Sequence, residues 1–389
     1  MKSSLYSILF TLLIITTIIN HSAVPFVFYF TTISIILVIF IVYIWDTSRI
    51  VFPQTPAILL FVIFSIYLYH LLDNPLVLDS ISRVLIFIIM TPILIFIVPL
   101  VVDKARFLQI TAITSAIFIF VSLPSMFIGE FSLYIFESTV RGKHPVIGLY
   151  RIESISTTTV TSGYIASIGL ISSLSIRISI IRKMIFFICL LGVVLPHSRA
   201  AYAAALASIA VILMIRIIGR ENVIWWIYMF FMLGMILFLS AMKLIPSPDF
   251  INIIDSAGRD EIFQVGIRTF FADPLLGHGP RNLTELVQQY TDRYSVGAGV
   301  YNQFLRMFIT TGIVGGMSYL ILILIGVLRF RVKHANSDEL IIYALFIGIF
   351  VNELFTGRTI LGLSHSSVIG AITLGYLFQN IYYRPCNST

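Results

Sequence analysis

The sequence predicts an all-α polytopic membrane protein, and three observations carry that prediction. Hydrophobic residues make up 58% of the 389-residue chain and charged residues only 11%, with a mean hydropathy of +1.00, outside the range of soluble domains. Apolar runs of about 17–25 residues, each enough for a helix across a roughly 30 Å hydrocarbon core, recur along the whole length. The weak alternating segments of a membrane β-barrel are absent.

Taken in order, the runs predict about twelve spans, near 4–20, 24–45, 54–72, 84–102, 107–128, 157–176, 184–197, 200–217, 223–244, 301–328, 339–355 and 365–383. No small-residue cleavage site follows the first, and the second comes at once, so the first is read as part of the mature protein. The seventh and eighth are short and meet at a Pro/Ser joint after Leu195, which predicts helix ends dipping into the membrane. With both termini cytoplasmic, the inner face collects lysines and arginines from Lys2 through Arg106, Arg182 and Arg220 to Arg331 and Arg384. The short outer loops hold only Arg83, Arg199 and Arg358. That asymmetry sets the orientation and makes the net charge of +7 largely topological. No basic run with interleaved aromatics points to nucleic acid. Cys189 lies in a span and Cys386 in the tail, so neither a disulfide nor a thiolate metal site is implied.

Two outer connections are long, 129–156 and 245–300, and long ordered loops are usually functional. The larger contains SAGRDEIFQVGIRTFFADPLLGHGPRNLTELVQQYTDRY. Its first part carries Ile262, Val265 and Phe270 at helical spacing after a Ser/Gly turn, predicting one or two amphipathic helices against the outer membrane surface. With no repeat and no soluble terminal domain, residues 1–389 read as one membrane domain with an extracytoplasmic cap.

The outer-face cations are Arg199, Arg259, Arg281, Arg306 and Arg358, with Arg141 and Arg151 in the smaller loop. Each alone fits snorkelling to headgroups or pairing with one of the many outer acids. Arg199, in PHSRAAY, and Arg358, in FTGRTI, stand apart because each is the one arginine or lysine of a short loop between apolar helices. A guanidinium there suits a phosphate or pyrophosphate, which it grips bidentately while permanently charged. A lipid-linked pyrophosphate presents such a group at an outer membrane boundary.

Three motifs in order carry a family likeness: SRA after an apolar helix, then GRDEIFQVGIRTFFADPLLGHGPRN opening the long loop, then VYNQFLRMFITTGIVGG at the next helix. Over residues 150–380 or so the chain resembles the O-antigen ligase and polymerase superfamily, most of all a Wzy-type O-antigen polymerase. The resemblance implies a membrane-embedded, GT-C-like glycosyltransferase that uses no metal or other cofactor. It would act on undecaprenyl-pyrophosphate-linked glycans at the periplasmic face of the bacterial inner membrane, among membrane lipids and with a chain-length regulator protein as a further partner. It implies that Arg199 and Arg259 bind the donor pyrophosphate and stabilise charge as the glycosidic bond to phosphate breaks, with Arg358 as a further arginine. Arg151, Arg281, Arg306 and Asn302 are further candidates for substrate binding.

One departure bears on the reaction. Where ligases of the family carry a histidine before the Asn, this chain has Tyr301-Asn302, and a tyrosine of pKa about 10 is a poor base at neutral pH. That favours a polymerase over a ligase transferring glycan to lipid A-core. The base is left among His278, Asp260 and Glu261, with His278 equally readable as a turn residue of LLGHGP. Tyr290, Tyr294 and Tyr301 could stack on sugars, although most aromatics of such a chain belong to the interfacial belt. A flippase for the same lipid-linked sugars also fits twelve spans. Against it stand the missing half-to-half repeat and the charge gathered on one face.

Overall fold

The computed structural model describes residues 2–19, 25–46, 52–73, 78–133, 136–143, 148, 150–154, 158–241, 259–280, 283–289, 300, 302–357 and 360–383. A helix lies on every apolar run. In chain order they are α1 (Lys2–Ile19), α2 (Pro25–Asp46), α3 (Gln54–Asp73), α4 (Leu78–Pro92), α5 (Val98–Val101), α6 (Lys104–Ser122), α7 (Ser125–Ile128), α8 (Thr159–Ser172), α9 (Ser179–Val194), α10 (Arg199–Ile218) and α11 (Val223–Ala241). There follow α12 (Arg259–Ala272), α13 (Leu283–Gln288), α14 (Gln303–Leu328), α15 (Ser337–Phe355) and α16 (His365–Tyr382). Among the described residues five stretches are long and apolar enough to cross a membrane: Gln54–Leu72, Ile81–Val101, Lys104–Ile128, Arg199–Ile218 and Gln303–Leu328. The protein is a multi-pass membrane protein built mainly of helices.

It is not purely α. The connection 129–156 contains three antiparallel strands, β1 (Phe131–Leu133), β2 (Phe136–Lys143) and β3 (Tyr150–Ser154), in the order β1-β2-β3. The sequence concealed them because they are short and bulged between Val140 and Lys143, so no sustained period-2 pattern forms.

The core is a layer of helices apolar on all sides. In α16 every residue from His365 to Phe378 is buried, and α8 is buried from Thr161 through Ser172, as expected for helices without a polar face. Small residues permit close approach. A Cβ on Gly375 of α16 would lie 2.0 Å from the Ile95 carbonyl oxygen, where a π-helical turn (Ile93–Ile97) joins α4 to α5 just before Pro99. A Cβ on Gly348 of α15 would meet Ser208 and Ala204 of α10.

Contacts between helix ends order the bundle. Arg106 Nη1 donates to Ser7 Oγ at 2.8 Å and the Tyr376 hydroxyl to the Val102 carbonyl at 2.8 Å, placing the starts of α1 and α6 with the finish of α16. At the opposite end Thr17, late in α1, meets His365, which opens α16. The turn before Arg199 and the turn after Phe355 lie at that second end.

Candidate active site

The turn Pro196-His197-Ser198 between α9 and α10 is built to present Arg199. His197 takes a left-handed backbone (φ 53°), a conformation that needs outside support in a non-glycine residue. Arg151 of β3 supplies it, with Nε 3.2 Å from the Pro196 carbonyl and Nη2 3.4 Å from that of His197. The Tyr202 hydroxyl donates to Val194 O at 2.8 Å. Ser198 caps α10, its hydroxyl accepting from Ala201 N. Gly163 of α8 admits this helix start, since a Cβ there would stand 2.9 Å from the Ala201 Cβ. Arg199 is the first helical residue and is exposed. A cation there faces the positive end of the helix dipole, which opposes it, and both together favour an anion.

A second assembly joins the long connection to the bundle. Arg259 opens α12, which packs against α14 through Val265, Leu305 and Ile309 and through an edge-on contact of Phe270 with Phe308. Beyond α12, the segment 273–280 enters a break in α14. Gly312 has φ 63° and ψ −167°, a backbone region open essentially to glycine. The break leaves helical groups without partners, and the loop supplies them. His278 N donates to Ile309 O and Gly279 N to Thr310 O, both at 2.9 Å, and Ile313 N donates to Pro274 O at 2.8 Å. His70, near the last turn of α3, reaches Leu276 O with Nε2 at 3.0 Å and lies against Gly279. The motifs PLLGHG and TTGIVGG are thus two halves of one joint.

A third assembly surrounds the turn after α15. Asn302 caps α14, its Oδ1 accepting from Leu305 N at 2.8 Å, while its Nδ2 donates to Leu354 O at 2.9 Å. Arg306 Nη1 donates to Gly357 O at 3.0 Å. Glu353 is 2% exposed and accepts from the Tyr319 hydroxyl and from Ile360 N. Arg220 Nη1, just after α10, donates to Ala335 O, just before α15, at 2.9 Å, so the two helices run antiparallel and this turn and the Arg199 turn lie at the same end of the pair.

The predicted residues therefore fall into distinct positions. Arg151 and the Arg199 turn touch, as do Asn302, Arg306 and the turn leading to Arg358. Arg151 and Arg306 grip backbone. Asn302, read from sequence as a substrate contact, is buried with both ends of its amide engaged in the fold. His278 has Nε2 2.8 Å from Thr269 O, the bond expected of a turn residue. Glu261 is exposed in the first turn of α12. Arg281, Tyr290, Tyr294, Tyr301 and Arg358 lie outside the described residues, and of Arg259 and Asp260 only the helical backbone is described. Among the described residues no three His, Cys, Asp or Glu side chains group as metal ligands would.

Residues 184–320, about a third of the chain, match the O-antigen ligase family model. Over those residues the chain is similar to that family. The matched segment runs from α9 into α14 and takes in Arg199, Arg259, His278 and Gly312, so both the Arg199 turn and the loop-in-helix joint fall inside it. This supports a place in the O-antigen ligase/polymerase superfamily and with it membrane glycosyl transfer from lipid-linked oligosaccharides. No curated protein matches the chain. Reading the sequence alone missed His70, Gly312 and Glu353. Only Glu353 left a signal there, as the sole acid in the apolar run from Leu340 to Phe355.

Proposed function

We propose that this protein polymerises undecaprenyl-pyrophosphate-linked repeat units of O-antigen or a related polysaccharide at the periplasmic face of the bacterial inner membrane. In this reading the chain crosses twelve times, both termini are cytoplasmic, and residues 129–156 and 245–300 form the periplasmic cap. The observation that carries the reading is the Arg199 turn, which sets Arg199 at a helix N-terminus at the same end of the helix pair α10 and α15 as the turn after Phe355. Fixed guanidinium groups and helix dipoles aimed at developing negative charge are the usual means of stabilising such a transition state.

The non-reducing-end hydroxyl of one lipid-linked unit attacks the anomeric carbon at the reducing end of the growing chain. A new glycosidic bond forms there, the bond from that carbon to the phosphate oxygen breaks, and undecaprenyl pyrophosphate leaves. Arg199 and Arg259 hold the pyrophosphate and take up the charge it gains, with Arg358 beside them. Arg151 and Arg306 hold the backbone of the turns that carry Arg199 and Arg358. The hydroxyl proton goes to a base among His278, Asp260 and Glu261. Tyr301, in the place where ligases of the family carry histidine, favours polymer growth over transfer to lipid A-core. A chain-length regulator protein is the further partner of such an enzyme.

The lipopolysaccharide ladder of a deletion strain tests this. Core bearing one repeat unit is the expected product. Bare core would assign the chain to the ligase reaction instead. Repeat units accumulating on the cytoplasmic side would assign it to transport.

A further inference from the structure

The end of the bundle away from the Arg199 turn has no place in the chemistry above, yet it holds a basic cavity of about 360 Å³. Arg220 and Glu221, in the turn after α10, line it together with Arg331, Lys333 and His334, which lie between α14 and α15. Lys333 pairs with Glu221 at 2.8 Å, and positive charge still predominates among the lining residues. The walls are braced from three other helices. Arg220 Nη1 donates to Ala335 O at 2.9 Å, Arg331 N to Asn380 Oδ1 at 3.1 Å and the Tyr228 hydroxyl to Leu328 O at 2.8 Å. Phe330, buried and stacked on Tyr343 with ring centroids 4.5 Å apart, supplies an apolar wall. A second cavity, of about 490 Å³ and lined by apolar side chains, lies between α10, α11 and α15. It reaches Ile218, two residues before Arg220, and Ile227, one helical turn beyond Ile224 of the basic cavity, so the two adjoin at the α10–α11 corner.

We infer that this corner binds an anionic phospholipid, with its phosphate in the basic cavity and an acyl chain along the apolar one. The depth is right for a headgroup. Ile217 is 81% and Trp225 70% exposed beside the basic cavity, and tryptophan so placed marks the membrane–water boundary. The 20 residues of α10 set the corner about 30 Å from Arg199, one hydrocarbon thickness away. The chemistry also selects among occupants. Guanidinium groups grip a phosphate, and basic pockets between membrane helices are the usual seats of anionic headgroups. A soluble phosphate compound would leave the apolar cavity unused, and a zwitterionic lipid would gain little from the cations. The site stands whichever glycan reaction the Arg199 end performs.

Tryptophan quenching tests the site in the full-length protein. The chain has three tryptophans, and in a Trp45→Phe background the remaining two, Trp225 and Trp226, both lie at the corner. The protein is reconstituted in phosphatidylcholine vesicles, and chain-brominated phosphatidylglycerol or phosphatidylcholine is added as quencher to give their relative association constants. A preference for phosphatidylglycerol of about fivefold or more is expected, the factor that one cation near a membrane surface supplies. Equal association of the two lipids would overturn the proposal. Arg331→Gln combined with Lys333→Gln should bring the preference below about twofold. Arg182→Gln combined with Lys183→Gln removes two cations near the start of α9, at the same end but outside the cavity, and should leave the preference intact. Equal losses from the two pairs would mean a general surface attraction and would overturn the site. Should the first pair not accumulate, Lys333→Gln alone takes its place, and an unchanged preference there would overturn it as well. Ala210→Phe fills part of the apolar cavity and is expected at least to halve the preference, by roughly the cost of overpacking a filled site. Full preference in that variant would leave a phosphate site without a chain and overturn the phospholipid. Relief of quenching by one equivalent of undecaprenyl pyrophosphate would assign the corner to the glycan carrier, which also overturns it.

Discussion

At one end of the bundle Lys104 Nζ lies 2.6 Å from Glu339 Oε1 and Lys333 Nζ 2.8 Å from Glu221 Oε1. At the other, the bonds described for Arg151 and Arg306 go to the carbonyls of Pro196, His197 and Gly357. A carboxylate cancels a cation's charge, whereas a carbonyl orients the guanidinium and leaves its net charge in place. The first end pairs these two lysines with carboxylates, while Arg220 there holds the Ala335 carbonyl. The Lys333–Glu221 pair holds the acid's pKa down and the lysine's up, each through its hydrogen bond to the other, as an exposed ion pair does. At the second end Arg151 and Arg306 hold the turns by their backbone carbonyls.

The sharpest way to break this contrast is at Arg199. Arg199→Ala is expected to reduce elongation more than any substitution at the Lys104 end, with the protein inserted at normal levels because the residue is exposed at a helix start. Arg199→Lys keeps the charge but loses the planar fork. Each charge-assisted bond lost is worth about 1.5–3 kcal/mol, so a fall of at least about tenfold is expected. Wild-type repeat ladders from Arg199→Lys, equal to those of the control Arg83→Lys, would return Arg199 to an ordinary interfacial residue.

A smaller effect, on structure first, is expected at Gly312. Alanine there would put a Cβ 2.1 Å from Leu275 O at a positive φ. The backbone strain alone costs about 1–3 kcal/mol, so the segment 273–280 should leave the break in α14. Limited proteolysis between residues 273 and 280 is expected to become fast in Gly312→Ala, and unchanged protection would show that the joint tolerates a side chain.

The least effect on activity belongs to the charge-cancelled end. Glu339→Gln preserves the side-chain acceptor of the capping box with Asn336 but removes the charge facing Lys104. It should lower stability by about 1–3 kcal/mol, since Glu339 is buried, with activity per folded molecule unchanged. Lys333→Gln, at an exposed pair, is expected to leave the melting temperature where it was. Loss of turnover from either would erase the distinction between the ends.

The helices were legible because an apolar run long enough to cross a membrane favours one, and a helix lies on each of the runs read from the sequence. The helix at Arg259–Ala272 was legible from Ile262, Val265 and Phe270 at helical spacing. The break at Gly312 was not, since a glycine in an apolar run reads as a small packing residue until its φ is known. Nor could spacing show that Arg151 reaches Pro196 and His197, because that depends on how β3 lies against the α9–α10 turn. Arg199 was singled out as a lone cation between apolar helices, and the contacts that hold its turn come from elements distant in sequence.

The joint at Gly312 also governs how the protein can be recombined. Three backbone bonds run from segment 273–280 to Ile309, Thr310 and Ile313, and backbone bonds depend on path more than on side-chain identity. A chimera that imports a relative's long loop to change sugar preference would carry a plug cut for another socket. Residues 259–280 and 303–316 would have to be grafted as one cassette, although some twenty residues separate them in the chain.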